Sequence, residues 1–146
     1  MARSLDIETL IEDAFITHLP TYVDASATVK RWDDIKFKDL TTSVKVKATL
    51  ADDQEGTINL FAATNVMVDI GVFTSKKIDE DGKTANEIRG EVRNLINQDN
   101  IVALLNQESG LLVYNNGVVP QSSSDGEDKW LNQKMTSVLI VATSTE

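Results

Sequence analysis

Few side chains in this sequence could carry chemistry, and their spacing decides against most of it. His18 is the only histidine. A general base needs a positioned partner and a zinc site needs several ligands, so one histidine at the end of an apolar helix face reads as a packing or carbonyl-capping residue. Serines 122 to 124 stand beside Asp125 and Glu127, without a G-x-S-x-G elbow or a second histidine to make a nucleophile of them. The acidic turn "DEDGK", 79–83, invites a calcium reading. A twelve-residue calcium loop needs glycine at its sixth position and glutamate at its twelfth. Counted from Asp79, glycine falls fourth and Gly90 falls twelfth, so the match fails and a helix-entry turn accounts for the same residues. Asp33–Asp34 and Asp52–Asp53 are sequence neighbours that point apart on an extended chain, so neither pair forms an acid/base dyad. Neither phosphate-binding glycine motif occurs. The residues point to no enzyme and no cofactor.

The elements that position these side chains belong to a chain of 146 residues, long enough for one domain with a sizeable core. Cysteine is absent, which excludes disulfides, thiolate metal sites and cysteine nucleophiles. No apolar run reaches the roughly 20 residues of a membrane span, and Asp6, Glu8, Glu12 and Asp13 interrupt what a signal peptide would keep apolar. These features suit assembly in a cytoplasm. The net charge of −9 opposes non-specific nucleic-acid binding, which needs clustered lysine and arginine. It serves simple solubility, and it would also suit a surface past which a polyanion slides without adhering.

Residues Ser4 to Leu19 carry Ile7, Leu10, Ile11, Ala14, Phe15 and His18 at three- and four-residue steps. They predict an amphipathic helix with Ser4 as N-cap and Pro20 as its end. The segment after it has no sustained period and reads as a long connection holding at most one short strand. From Thr42 the period becomes two, with Val44, Val46, Ala48 and Leu50 on one face and Lys45, Lys47 and Thr49 on the other. "ADDQEG" at 51–56 is a turn. The alternating run from Ile58 to Val72 would span about 60 Å as one strand, far past the usual length. A break near "AATN" is therefore expected, with the main strand over 65–74. Thr84 and Glu87 form a T-x-x-E capping box that predicts the start of a central helix, with Ile88, Val92, Leu95 and Ile96 buried and Arg89, Glu91, Arg93 and Asn94 outward. The stripe slips at "NQDN", which predicts a break into a second helix. "LLVYNNGVV" and "WLNQKMTSVLIVATSTE" read as two strands flanking a polar, mobile loop, "PQSSSDGED", 120–128. The whole predicts a single α+β domain over 1–146, with a mainly antiparallel sheet and an N-terminal and a central helix packed on one face.

An N-terminal helix ends in "LP". The motif "RWDD" leads into "VKVKA"; "NLF" precedes a long "VMVDIGVFTS" strand and an acidic turn. A helix ending "IVALLN" is followed by "GLLVY", "VVP", a serine-rich acidic loop and a last strand opened by Trp130. This order resembles the small tail-terminator and tail-completion proteins of tailed bacteriophages. It extends over nearly the whole chain, as a pattern of elements and short signatures without a catalytic fingerprint. The "AATN" junction and the "NQDN" break lie outside the features that carry it.

The resemblance implies a structural virion protein, assembled in the host cytoplasm. It would form a ring, usually of six copies, at the head-proximal end of the tail. Its implied partners are the tail-tube protein and a neck or connector protein, with DNA passing through the lumen unbound and no membrane involved. Another connector or tube subunit, a non-viral binding module or assembly chaperone, and a small hydrolase built from carboxylates gathered by the fold are the competing readings. The candidate interface residues are Trp32, Lys36, Lys38, Lys45, Lys47, Arg89, Arg93 and Trp130. Tryptophans either cover a core edge or anchor an interface. The basic cluster from Lys30 to Lys47, Arg31 included, is expected to face neighbouring subunits, leaving acidic or neutral residues to the lumen.

Overall fold

The computed structural model describes residues 7–32, 42–50, 64–127 and 129–144. The period-two runs become strands of one five-stranded sheet: β1 (Thr28–Arg31), β2 (Ser43–Leu50), β3 (Thr64–Ser75), β4 (Leu111–Glu127) and β5 (Leu131–Ser144), in the order β1-β2-β3-β5-β4. β1 runs parallel to β2, and every other pairing is antiparallel. The helices are α1 (Ile7–His18), α2 (Lys83–Ile96) and α3 (Ile101–Leu105), with a 3-10 turn over Leu19–Thr21 that Pro20 opens. The result is a single α+β domain with a mixed, mainly antiparallel sheet, as the patterning predicts.

The register explains where the core lies. Val44 pairs with Val72, Val46 with Ile70 and Ala48 with Val68, while Val66 pairs with Ile140 and Val68 with Val138. All of these side chains are buried on one face of the sheet. Against them pack Ile11 and Phe15 of α1, Ile88, Val92 and Leu95 of α2, and Leu105 of α3. Each of these six is almost wholly removed from water, and burying such a side chain stabilises by roughly 1.5–3 kcal/mol. The opposite face carries Met67, Asp69 and Phe73 of β3 and Met135, Ser137, Leu139 and Val141 of β5, all half-buried. No described helix or strand lies over it.

The two edges of the sheet differ. β1 pairs only as far as Val46, which leaves the next amides of β2 without a strand partner. Carboxylates of α1 take them: Glu12 accepts from the Ala48 N–H at 2.9 Å and Glu8 from the Leu50 N–H at 3.3 Å. The two glutamates are four residues apart, on one side of the helix. Arg31 of β1 pairs with Glu12 and Asp13, fixing the same helix to the same edge. β4 forms the other edge over 17 residues. A bulge between Val113 and Val118 bends it, with Asn116 at φ 59°, and Gly117 sits so close to the Val141 carbonyl that a Cβ would lie 2.6 Å from it.

The predicted break at "NQDN" separates α2 from α3. Three expectations are corrected. The stretch 120–127 is strand, not loop: Ser122, Ser123, Ser124 and Asp125 pair with Ser137, Thr136, Met135 and Lys134, so cross-strand pairing overrides a turn-like composition. Pro120 is tolerated because it lies on an edge strand at a register shift. β5 accordingly opens at Leu131, leaving Trp130 in the turn. The entry to α2 is the third correction, since Gly82, with φ 76°, is its N-cap and no T-x-x-E box forms. Ser4, the turn 51–56 and the break expected near "AATN" fall wholly or partly outside the described residues.

Candidate assembly surface

The first turn of α2 is capped from upstream by Asp79, in the acidic turn that failed as a calcium loop. One carboxylate oxygen accepts from the Thr84 N–H at 3.0 Å; the other accepts from the Ala85 N–H at 3.0 Å and the Thr74 hydroxyl at 2.7 Å. Asn132 of β5 completes the network, donating to the Asp79 carbonyl at 2.6 Å and to the Thr74 hydroxyl at 3.3 Å. Burial raises the carboxyl's pKa, but these donors outweigh it and hold Asp79 below the usual carboxylate value. The anion at the helix N-terminus satisfies two amides that would otherwise be orphaned.

One turn further on, Arg89 is buried, contrary to the outward position expected of it. It lies four residues after Ala85 and seven before Ile96, within the same buried row. Its charge obscured a spacing that already placed it there. Its guanidinium donates to the Ser124 carbonyl at 3.2 Å, to the Asn86 side chain at 2.8 Å and to Asp125 at 2.5 Å. Lys134 reaches the second oxygen of Asp125 at 3.2 Å, so hydrogen bonds from both cations lower the Asp125 pKa. Lys76 does the same for Glu127 across 2.9 Å. The far half of the β4–β5 hairpin is thus fastened to the start of α2.

The last turns of α2 meet the hairpin differently. Arg93 donates to the Ser123 hydroxyl and has no carboxylate partner among the described residues. Beside it lies a cleft of about 160 Å³ that Arg93, Ile96, Pro120, Ser122 and Thr136 help to line. Thr136 is buried, and its hydroxyl finds no hydrogen-bond partner among the described residues. A second cleft, lined by Asp99, Ile101, Val102, Asn115, Asn116 and Val118, holds one carboxylate. Among the described residues no three histidine, aspartate or glutamate side chains gather as a metal ion would need.

The remaining candidates lie across the sheet or beyond the hairpin. Trp32 lies edge-on to Phe73 at 5.3 Å between ring centroids and covers Gly71, where a Cβ would come within 2.7 Å of the indole. Lys45, buried, sits 5.6 Å from the Phe73 ring centre. Both therefore pack within the subunit on the second face of the sheet, and Lys47 of that face is exposed. Arg31, expected at a neighbour's surface, is instead spent on α1. Trp130 is 70% exposed at the hairpin tip, with the Lys129 ammonium 5.3 Å from its ring. Lys36 and Lys38 lie outside the described residues. The structure thus brings Trp32 together with Lys45, and Arg89 together with Arg93, on opposite sides of the sheet. Sequence reasoning missed Asp79 as a cap and Thr136 as an unpartnered hydroxyl, since both depend on contacts between distant strands and the helix.

Across known proteins, the sequence matches no protein-family model and no curated protein. Within the described residues no helix is long and apolar enough to cross a membrane.

Proposed function

We propose that this chain is a non-enzymatic structural subunit that assembles into a closed ring of about six copies at the head-proximal end of a phage tail. There it ends growth of the tail tube and joins the tail to the neck, in the virion. One observation carries the reading: the sheet covers one face with three helices and leaves its second face without any described helix or strand over it. The two edges are also unlike: carboxylates of α1 take the Ala48 and Leu50 amides on the β1–β2 side, whereas on the β4 side the Asn106 amide takes the N–H and carbonyl of Val113. A ring needs two different patches on each subunit, and a fold with unlike edges supplies them. The exposed Trp130 at the hairpin tip is the kind of large aromatic that anchors interfaces.

The acidic balance of the chain supports the remainder of the proposal, because six copies of a −9 subunit surround a channel with charge that repels a passing polyanion. Negative-stain imaging of tails carrying this protein tests the reading. A terminal ring is expected on tails with the protein and tubes of uncontrolled length without it. Tails of normal length lacking any terminal density from this chain contradict it.

A further inference from the structure

Among the described residues, the cleft at the C-terminal end of α2 combines a guanidinium without a carboxylate, a buried hydroxyl without a partner and two apolar lining residues, Ile96 and Pro120. A carboxylate flanked by an aliphatic side chain fits that chemistry, since arginine binds carboxylates in fork geometry and a hydroxyl donates to them. Such a pair stands exposed at the other end of the same helix. Ile78 is 67% exposed in the turn before α2, and Glu80, two residues on, is exposed with no ion-pair partner among the described residues. Its neighbours are engaged within the chain: Asp79 caps the helix, and Asp81 accepts from the Lys83 N–H at 3.1 Å.

From Lys83 to Arg93 the helix advances roughly 15 Å, so Glu80 cannot reach the Arg93 of its own chain. We propose that the Ile78–Glu80 turn of a second copy of this chain docks in the cleft. The Glu80 carboxylate would meet Arg93 and Thr136, and Ile78 would lie on Pro120 and Ile96. The contact is head-to-tail, with a different patch from each copy, as a ring requires. It rests on the assembly reading above and specifies which surfaces that assembly uses.

The absence of native cysteine makes the test clean. Lys77 and Gln121 are exposed beside the turn and the cleft, respectively. A K77C/Q121C chain, oxidised at high protein concentration, is expected to give a ladder of disulfide-linked multimers, and neither single-cysteine chain should pass the dimer. In the K77C/Q121C background, Arg93→Glu and Glu80→Arg should each cut ladder yield about tenfold, and the two reversals together should restore it. Restoration also answers the objection that a single reversal unfolds the chain. No ladder, a ladder indifferent to Arg93→Glu, or reversals that fail to rescue one another overturns the contact; the last outcome marks the cleft as a site for another protein's acid or for a free oxyanion. A terminal ring on stained tails without the ladder refutes this contact and leaves the ring standing. A ladder from a protein that never closes into rings upholds the contact and refutes the ring.

Discussion

The two ends of α2 touch the same pair of strands with opposite economy. At the N-terminal end most strong groups are answered: Asp79 accepts three hydrogen bonds, Asn132 binds behind it, and the terminal nitrogens of Arg89 are shared among Asn86, Ser124 and Asp125, while its Nε–H is buried without a partner among the described residues. At the C-terminal end, among the described residues, Arg93 has one hydroxyl and the Thr136 hydroxyl has no partner. A buried polar group left without a partner costs about 1–3 kcal/mol; the Arg89 Nε–H bears that cost inside a network that engages the rest of its guanidinium, whereas the Thr136 hydroxyl bears it beside an open cleft. The helix is therefore anchored at one end and available at the other. Its densely bonded end holds the fold together, and its sparsely bonded end is the stronger candidate for assembly.

Removing the anchor is expected to have the largest effect. Asp79→Ala strips the acceptor from two helix amides and the Thr74 hydroxyl, and should lower unfolding free energy by about 3 kcal/mol in urea titrations. A loss as small as that of an exposed residue would mean that the first turn of α2 is held by something else. Arg89→Met keeps much of the buried stem and removes the links to the hairpin, so a loss of about 1–2 kcal/mol is expected from the same measurement. It should be accompanied by faster amide exchange in 122–127.

The folded-state pKa of Asp79 lies below its unfolded value, so between the two the unfolded chain binds the extra proton. Its stabilisation is complete above the unfolded value near 4 and is lost as pH falls through the depressed folded value. The stability gap between wild type and Asp79→Ala should therefore narrow below about pH 4, and a gap that stays constant down to pH 2 would count against the carboxylate as cap. The smallest expected effect is at the free end. Arg93→Ala should change the stability of the isolated chain by less than about 0.5 kcal/mol, because it removes only a surface hydroxyl contact. A large loss there would make Arg93 an anchor like Arg89.

Much of the architecture was legible because the core obeys simple periods. The alternation through Val44–Ala48 and Val66–Val72 marks one buried face, and Ile88, Val92, Leu95 and Ile96 mark the helix stripe that covers it. The slip in that stripe located the gap between α2 and α3. What resisted reading was decided by partners distant in sequence. The serine-rich run 120–127 looks like a loop alone and becomes strand only because β5 pairs with it. The capping box looked sufficient, yet Asp79 captured the amides of Thr84 and Ala85 first. Arg89 and Arg93, one turn apart on one helix, looked equivalent; only the position of the hairpin separates the buried one from the available one. Of the candidate interface residues, Trp32 and Lys45 turn out to pack within the subunit, a distinction that composition and spacing do not carry.

Native mass measurement across protein concentration and salt, alone and with tail tubes, bears most directly on the claim that this chain is an assembling subunit. A closed species near six times the 16.1 kDa chain mass is expected, diminishing as salt approaches 1 M, where the screening length falls to about 3 Å. A monomer at every concentration and salt, with and without tubes, would contradict it.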